Sequence, residues 1–118
     1  MLQSPLISVL GKDPQRKHRI NANSFQQNAI TTVNGWQYAA FYTEDSKNTG
    51  VCHVNLSRRK IDLSKIYTAQ AHWETITFDD YDQIADDGHN IISIGVAKGD
   101  GTIHCAFDHH CDRQDFAA

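Results

Sequence analysis

The chain has 118 residues, of which 40% are hydrophobic and 21% are charged, which is typical of one small folded domain. Eleven Lys and Arg against fourteen Asp and Glu give a formal net charge of −3. This balance supplies no basic surface for a phosphate backbone, so we expect no nucleic-acid partner. No apolar run reaches membrane-spanning length, so we expect no membrane partner either. Residues 1–10 lack the cationic and apolar regions of a signal peptide, and the compartment stays open.

The three cysteines are Cys52, Cys105 and Cys111. Their number is odd and too small for a disulfide scaffold, and their spacing matches no C-x-x-C metal or redox motif. Two of them could pair in an oxidising compartment, and the sequence leaves that pairing open.

The pattern of the chain changes near residue 28. Residues 1–27 are mostly polar and show no regular hydrophobic period, so we expect an irregular N-terminal segment there. Residues 28–118 alternate at period two in several stretches, which predicts a β-rich domain. A single helical turn over residues 81–85 is the only helical structure that the pattern allows.

Four strands are predicted in the first part of this domain. Asn34 and Gly35 are the preferred pair of a type I′ hairpin turn, and β-branched and aromatic residues flank them. A polar turn over residues 45–50 precedes the next alternating stretch. The predicted strands cover residues 29–33, 36–43, 51–56 and 73–78. Joined in sequence by turns, they predict one antiparallel β-meander.

A second unit begins after the turn at residues 86–88. Its two predicted strands present Ile92, Ile94 and Val96, and then Ile103, Cys105 and Phe107. Consecutive four-stranded meanders are the blades of a β-propeller. A blade takes roughly 40 to 50 residues and a closed ring needs at least four blades. The prediction is therefore an all-β fold with about one and a half blades of an incomplete propeller over residues 28–118.

Several side chains have an expected structural role. We expect Trp36, Trp73 and Phe78 to pack in the sheet core rather than stack on sugars. The basic run at residues 58–60 is expected to be a solvated hairpin end, with contact to an anionic glycan as the alternative. His104 is expected to pack or to form a hydrogen bond. Ordinary surface positions are expected for His18, His53 and His72.

Four motifs carry a family resemblance. They are W-x-x-I-x-F-x-D-Y-x-Q from Trp73, D-D-G-H-N at 86–90, G-D-G-T-I-H at 99–104 and F-D-H-H at 107–110. In this order and spacing they resemble the BNR-repeat-containing family of seven-bladed propellers, which is related to ulvan lyases and to rhamnose–glucuronate lyases and rhamnosidases. The chain resembles an N-terminal fragment of such a protein.

The resemblance implies a substrate, a reaction and site residues. Lyases of the family act on uronic acids next to rhamnose, so the implied partner is an acidic polysaccharide or oligosaccharide. A base removes the C5 proton, an acid assists the departing oxygen on C4, and a cation neutralises the carboxylate. Two histidines about twenty residues apart serve that site, which points to His89 and His109, with His110 as the neighbouring alternative. Asn90 and Asp108 are the implied substrate-binding residues, and no cofactor is implied.

The chain also departs from the family pattern. In the lyases, a tyrosine and a carboxylate-binding arginine of the site lie further along the chain than His110. Residues 111–118 do not resemble the strand expected there, and the role of the arginine does not transfer to Arg113. We therefore expect an incomplete site, inactive in the chain alone, and a truncated or misjoined reading frame.

Two other hypotheses remain open. One is a non-catalytic glycan-binding or degenerate β-domain. The other is a metal-binding β-protein, because imidazole with carboxylate or thiolate suits Zn²⁺, although the spacing matches no zinc pattern. The residues of that hypothetical metal site are Asp86, Asp87, His89, Asp108, His109, His110 and Cys111. In any of these cases the unfinished second unit leaves a strand edge and apolar side chains uncovered, so we expect the isolated chain to be marginally stable and to self-associate.

Overall fold

The computed structural model describes residues 4–17, 28–65, 70–108 and 110. Apart from a short 3-10 helix at Leu63–Lys65, the regular structure of these residues is β. The strands are β1 (Ile30–Val33), β2 (Trp36–Glu44), β3 (Cys52–Lys60), β4 (Glu74–Gln83), β5 (Ser93–Val96) and β6 (Ile103–Ala106). The all-β prediction is confirmed. No helix in the described part of the chain is long and apolar enough to cross a membrane.

The strands form two antiparallel sheets. The first has the order β1-β2-β3-β4, and the second consists of β5 and β6, as the predicted meander and second unit require. Asn34 and Gly35 both have positive φ angles, 51° and 77°, which a type I′ turn needs at its two central residues. β4 lies at an edge of the first sheet and exposes Ile76. Self-association through the strand edge of the second unit, β5 and β6, stays a prediction.

The hydrophobic core lies between the two sheets. Tyr38, Ala40 and Val54 contribute from β2 and β3, and Ile92 and Ile94 contribute from the second unit. The backbone N–H of Ile94 donates to the carbonyl of Asn28 at 2.9 Å, which joins β5 to the residues before β1. A four-stranded sheet packed on the first strands of the next is the arrangement of neighbouring propeller blades. The chain therefore has a partial propeller-like fold.

The basic run forms the last three residues of β3, with Arg58 and Lys60 exposed, as expected for a solvated hairpin end, and contact with an anionic glycan stays a prediction. The run pairs with the first residues of β2, with Lys60 opposite Trp36. The guanidinium carbon of Arg58 lies 4.8 Å from the centre of the Trp36 ring, and the Lys60 ammonium lies 5.8 Å from it. Arg59 lies 4.7 Å from the Trp73 ring. These cation–π contacts and the long aliphatic stems let charged residues cover aromatic rings within a strand.

The predicted helical turn over residues 81–85 does not form. Residues up to Gln83 belong to β4, and Gln83 pairs with Cys52. The register between β3 and β4 shifts between Cys52 and Val54, which marks a β-bulge or irregularity. Such a shift re-aims the side chains that follow it, and it brings Gln83 into the interior, where it is 1% exposed.

The N-terminal segment over residues 4–17 contains no helix or strand and packs against the first sheet. At Gly11 an added Cβ would lie 2.8 Å from Phe41 Cε2 and 2.9 Å from Thr43 Cγ2, so a larger residue would force these side chains to shift. Arg16 donates hydrogen bonds from Nη2 to the Cys52 sulfur and to the side-chain Oε1 of Gln83. The segment is thereby tied to β3 and β4.

His53 is not an ordinary surface residue, and that expectation is wrong. Its side chain is 16% exposed. Nε2 lies 2.9 Å from Asp45 Oδ2, and Nδ1 lies 3.4 Å from the carbonyl oxygen of Tyr81. His53 on β3 therefore connects the turn after β2 with β4.

This pair predicts a pH-dependent contribution to stability. The hydrogen bond that His53 donates to the Asp45 carboxylate raises the pKa of His53. The stability contributed by this bond is therefore complete below the ordinary value of 6.5 and is lost as pH rises through the folded value. Hydrogen bonds from His53 and from the backbone N–H groups of Lys47 and Asn48 lower the pKa of Asp45 from 3.8 to about 2. The stability contributed by these hydrogen bonds is lost as pH falls through this range. We expect the urea midpoint of wild type to exceed that of His53→Gln most between about pH 4 and pH 6.5, and less at about pH 8. An equal difference throughout would contradict this.

Candidate functional site

The D-D-G-H-N motif forms a turn between β4 and β5, and hydrogen bonds within the motif stabilise this turn. The backbone N–H of His89 donates to Asp87 Oδ1 at 2.8 Å, and the backbone N–H of Asn90 donates to the Asp87 carbonyl at 3.1 Å. Aspartate favours such turns because its side-chain oxygen accepts from the backbone two residues later. The turn therefore fixes the Asp87 carboxylate next to His89.

The same carboxylate contacts two histidines. Asp87 Oδ1 lies 2.6 Å from His89 Nδ1, and Oδ2 lies 2.7 Å from His110 Nδ1. The two imidazole rings lie side by side, with centroids 4.5 Å apart and planes tilted by 39°. The histidine side chains are 53% and 50% exposed, and that of Asp87 is 18% exposed. The site is therefore a surface pair of imidazoles held by one shielded carboxylate.

Asn90 holds the chain segment that carries His110. Its Oδ1 accepts from the His110 backbone N–H at 2.7 Å, and its Nδ2 donates to the His110 carbonyl at 2.6 Å. The Asn90 side chain is buried. A primary amide matches a backbone N–H and C=O pair in the way that a neighbouring strand would. Asn90 thus joins the 86–90 turn to the end of the second unit.

Asp108 directs the chain from β6 toward His110. It has a positive φ angle of 52°, which Asp tolerates better than most residues. Its buried carboxylate accepts from the Tyr81 hydroxyl at 2.5 Å and from Gln83 Nε2 at 3.0 Å. The edge-to-face contact of Tyr81 and Phe107, with centroids 5.1 Å apart, supports the same segment. The end of β4 therefore positions Phe107 and Asp108.

A cavity of about 480 Å³ adjoins the histidine pair through Asp87. The N-terminal segment, β2 and the 86–90 turn line it, with Arg16, Tyr42, Asp86 and Asn90 among its polar residues. The Tyr42 hydroxyl and Asp86 Oδ1 are buried there and have no partner of ordinary hydrogen-bond geometry among the described residues. Burial, and then the charge of Asp108, raise the pKa of Tyr42 far above its ordinary value. The tyrosine therefore stays protonated and offers a donor to the cavity.

The structure brings together two of the three predicted catalytic histidines, His89 and His110, while His109 lies outside the described residues. The side chains of Asn90 and Asp108 are buried and bind protein groups, and their direct contact with substrate stays a prediction. His104 projects from β6 as an exposed residue that does not pack. Cys52 and Cys105 are free thiols, and Cys111 lies outside the described residues.

Asp87 was expected mainly as a turn former, and the metal hypothesis placed it in one cluster with His89 and His110. The structure brings these three residues together, and it adds that a single carboxylate contacts both rings, which the D-x-H pair alone does not predict. Among the described residues of the hypothetical metal site, Asp87, His89 and His110 place ligand atoms within 4.8 Å of one another. Asp86 and Asp108 have other hydrogen-bond donors, Lys17 N–H for Asp86 and Tyr81 and Gln83 for Asp108.

The chain matches a known protein family over strands of both sheets. The model of the BNR repeat-containing family matches residues 36–118. The chain belongs to this family. Among curated proteins, none matches the chain. Because the family match begins with β2 and includes the D-D-G-H-N and F-D-H-H motifs, it confirms the resemblance and supports a β-propeller-type BNR domain.

Proposed function

We propose that this BNR-repeat chain supplies a proton-transfer site for β-elimination in acidic polysaccharides that contain uronic acid and rhamnose. The observation that carries the proposal is the Asp87 carboxylate bound to both His89 and His110. A carboxylate on Nδ1 orients an imidazole and stabilises its protonated form. Two imidazoles at one exposed place can act as the acid and the base of one reaction.

The chemistry divides between the two rings. One neutral imidazole takes the C5 proton of the uronic acid, and the electron pair left on C5 forms the C4–C5 double bond. The C4–O4 bond breaks, and the other imidazole, as an imidazolium, donates a proton to the departing oxygen. Because Asp87 contacts Nδ1 of both rings, proton exchange with the substrate takes place at Nε2.

A negative carboxylate on the substrate keeps the C5 proton weakly acidic, so elimination from a free uronate also needs a cation beside that group. A methyl-esterified uronate carries no such charge. The ester therefore tests the histidine pair without requiring a neutralising arginine. We expect the chain to eliminate the esterified oligosaccharide faster than the free acid.

The test measures the ultraviolet absorbance of unsaturated uronate ends in both substrates. His89→Ala is expected to slow elimination from the ester by about 10²- to 10⁴-fold, the usual contribution of one acid–base group. His104→Ala is the matched control, because it removes an exposed imidazole from β6 outside the site. No absorbance with either substrate, or an equal rate in His89→Ala and wild type, would refute the proposal.

Two other results would assign a different role. Release of free rhamnose without ultraviolet absorbance would indicate the hydrolase branch of the family. Retarded migration in affinity electrophoresis without either product would indicate a non-catalytic glycan-binding domain.

A further inference from the structure

We propose that Asp87, His89 and His110 bind a divalent transition-metal ion such as Zn²⁺, a role that goes beyond proton transfer. Their ligand atoms lie within 4.8 Å of one another. Two imidazole nitrogens and one carboxylate oxygen are a donor set that zinc uses with an open position for water or substrate. The half-exposed rings leave that position accessible from solvent.

An ion can enter if the two Asp87 contacts open slightly and the ligand atoms, now spread over as much as 4.8 Å, move closer together. A tetrahedral zinc with bonds of about 2.0–2.1 Å holds its ligand atoms about 3.3 Å apart. The Asp87 oxygens now lie 2.6 Å and 2.7 Å from the two Nδ1 atoms. Each contact has to open by less than about 1 Å, and the proton that an imidazole shares with the carboxylate leaves as the metal binds.

The backbone around the three ligands is already fixed. His89 donates its backbone N–H to Asp87 Oδ1 at 2.8 Å, which orients the carboxylate. Asn90 binds both the N–H and the carbonyl of His110, so ligands from two distant parts of the chain are held together by a buried amide. Groups that orient ligands in this way raise metal affinity because less order is lost on binding.

The donor set selects the class of metal. Ca²⁺ and Mg²⁺ prefer carboxylate, carbonyl and water oxygens, and this site offers one carboxylate and two imidazoles. Imidazole suits Zn²⁺, Ni²⁺ and Co²⁺. We therefore expect Zn²⁺ to bind and Mg²⁺ not to bind at equal concentration.

The experiment is isothermal titration of the chelator-treated full chain with ZnCl₂, with CoCl₂ absorbance as a second readout. Asp87→Asn keeps an oxygen that can cap the turn but removes the charge, and His89→Ala removes one imidazole. We expect each change to weaken Zn²⁺ binding by at least about 10- to 100-fold, the loss seen when only an outer partner of a ligand is removed. His104→Ala, the matched control, should bind as wild type does.

Absence of Zn²⁺ heat in wild type would overturn the proposal. Equal affinity in wild type, Asp87→Asn and His89→Ala would also overturn it, because the ion would then bind elsewhere. Should His89→Ala fail to fold by circular dichroism, Asp87→Asn decides. No glycan is present in this titration, so failure of the elimination assay and failure of metal binding are separate results.

Discussion

Replacing Gln83 with Ala is expected to lower the free energy of unfolding by about 3–5 kcal/mol. The Gln83 side chain is 1% exposed. Its Nε2 donates to the Ala85 carbonyl at 2.6 Å and to Asp108 Oδ1 at 3.0 Å, and its Oε1 accepts from Arg16. Alanine would leave a buried carboxylate and a guanidinium each without one partner, and hydrogen bonds to charged groups are the costly ones to lose.

Urea denaturation followed by tryptophan fluorescence measures this loss. Gln37→Ala is the matched control, because Gln37 makes one side-chain hydrogen bond, from Arg59 Nε at 2.9 Å, in a less buried place. It should cost less than about 1 kcal/mol. Similar losses in the two variants would show that the Gln83 network contributes no more than an ordinary surface contact.

The strands of the meander could be predicted because their signals are local. Alternating hydrophobic residues and the Asn34-Gly35 pair specify strands and a turn without reference to the rest of the chain. The ends of β3 and β4 could not be predicted in this way. Lys60 belongs to β3 because it pairs with Trp36 on the neighbouring strand. Gln83 belongs to β4 because its side chain is buried in the interior. Both are contacts with other strands that no local pattern contains.

The residues of the candidate site could be predicted from the sequence, but their contacts could not. His89 and His110 were marked by motifs of the family, which preserve the residue types but not their contacts. The metal hypothesis grouped Asp87 with them on the expected hairpin, but the contact of one carboxylate with both rings was not predicted, because it depends on the side-chain positions in the folded turn. His53 was missed for the same reason, since its partner Asp45 lies in a turn whose direction only the folded sheet determines.

Replacing Asn90 with Ala is expected to separate the two halves of the histidine site. The buried Asn90 amide holds the His110 backbone by two hydrogen bonds of 2.7 Å and 2.6 Å. We expect a loss of about 2–3 kcal/mol in the free energy of unfolding. Zn²⁺ affinity should fall by about 10- to 100-fold, because Asn90 orients a ligand without being one.

Native-state hydrogen exchange gives a readout specific to this segment. The His110 amide should exchange at least about tenfold faster in Asn90→Ala, since its acceptor is gone and a tenfold change corresponds to about 1.4 kcal/mol of local opening. The Thr102 amide, which donates to Asp100 Oδ1 in the β5–β6 turn, should be unchanged. Asn48→Ala is the control variant, because that exposed asparagine lies in the turn after β2. If the His110 and Thr102 amides exchange faster by the same factor, the substitution destabilises the whole fold and Asn90 does not hold the segment locally. If only the His110 amide exchanges faster, the geometry of the site depends on the Asn90 side chain.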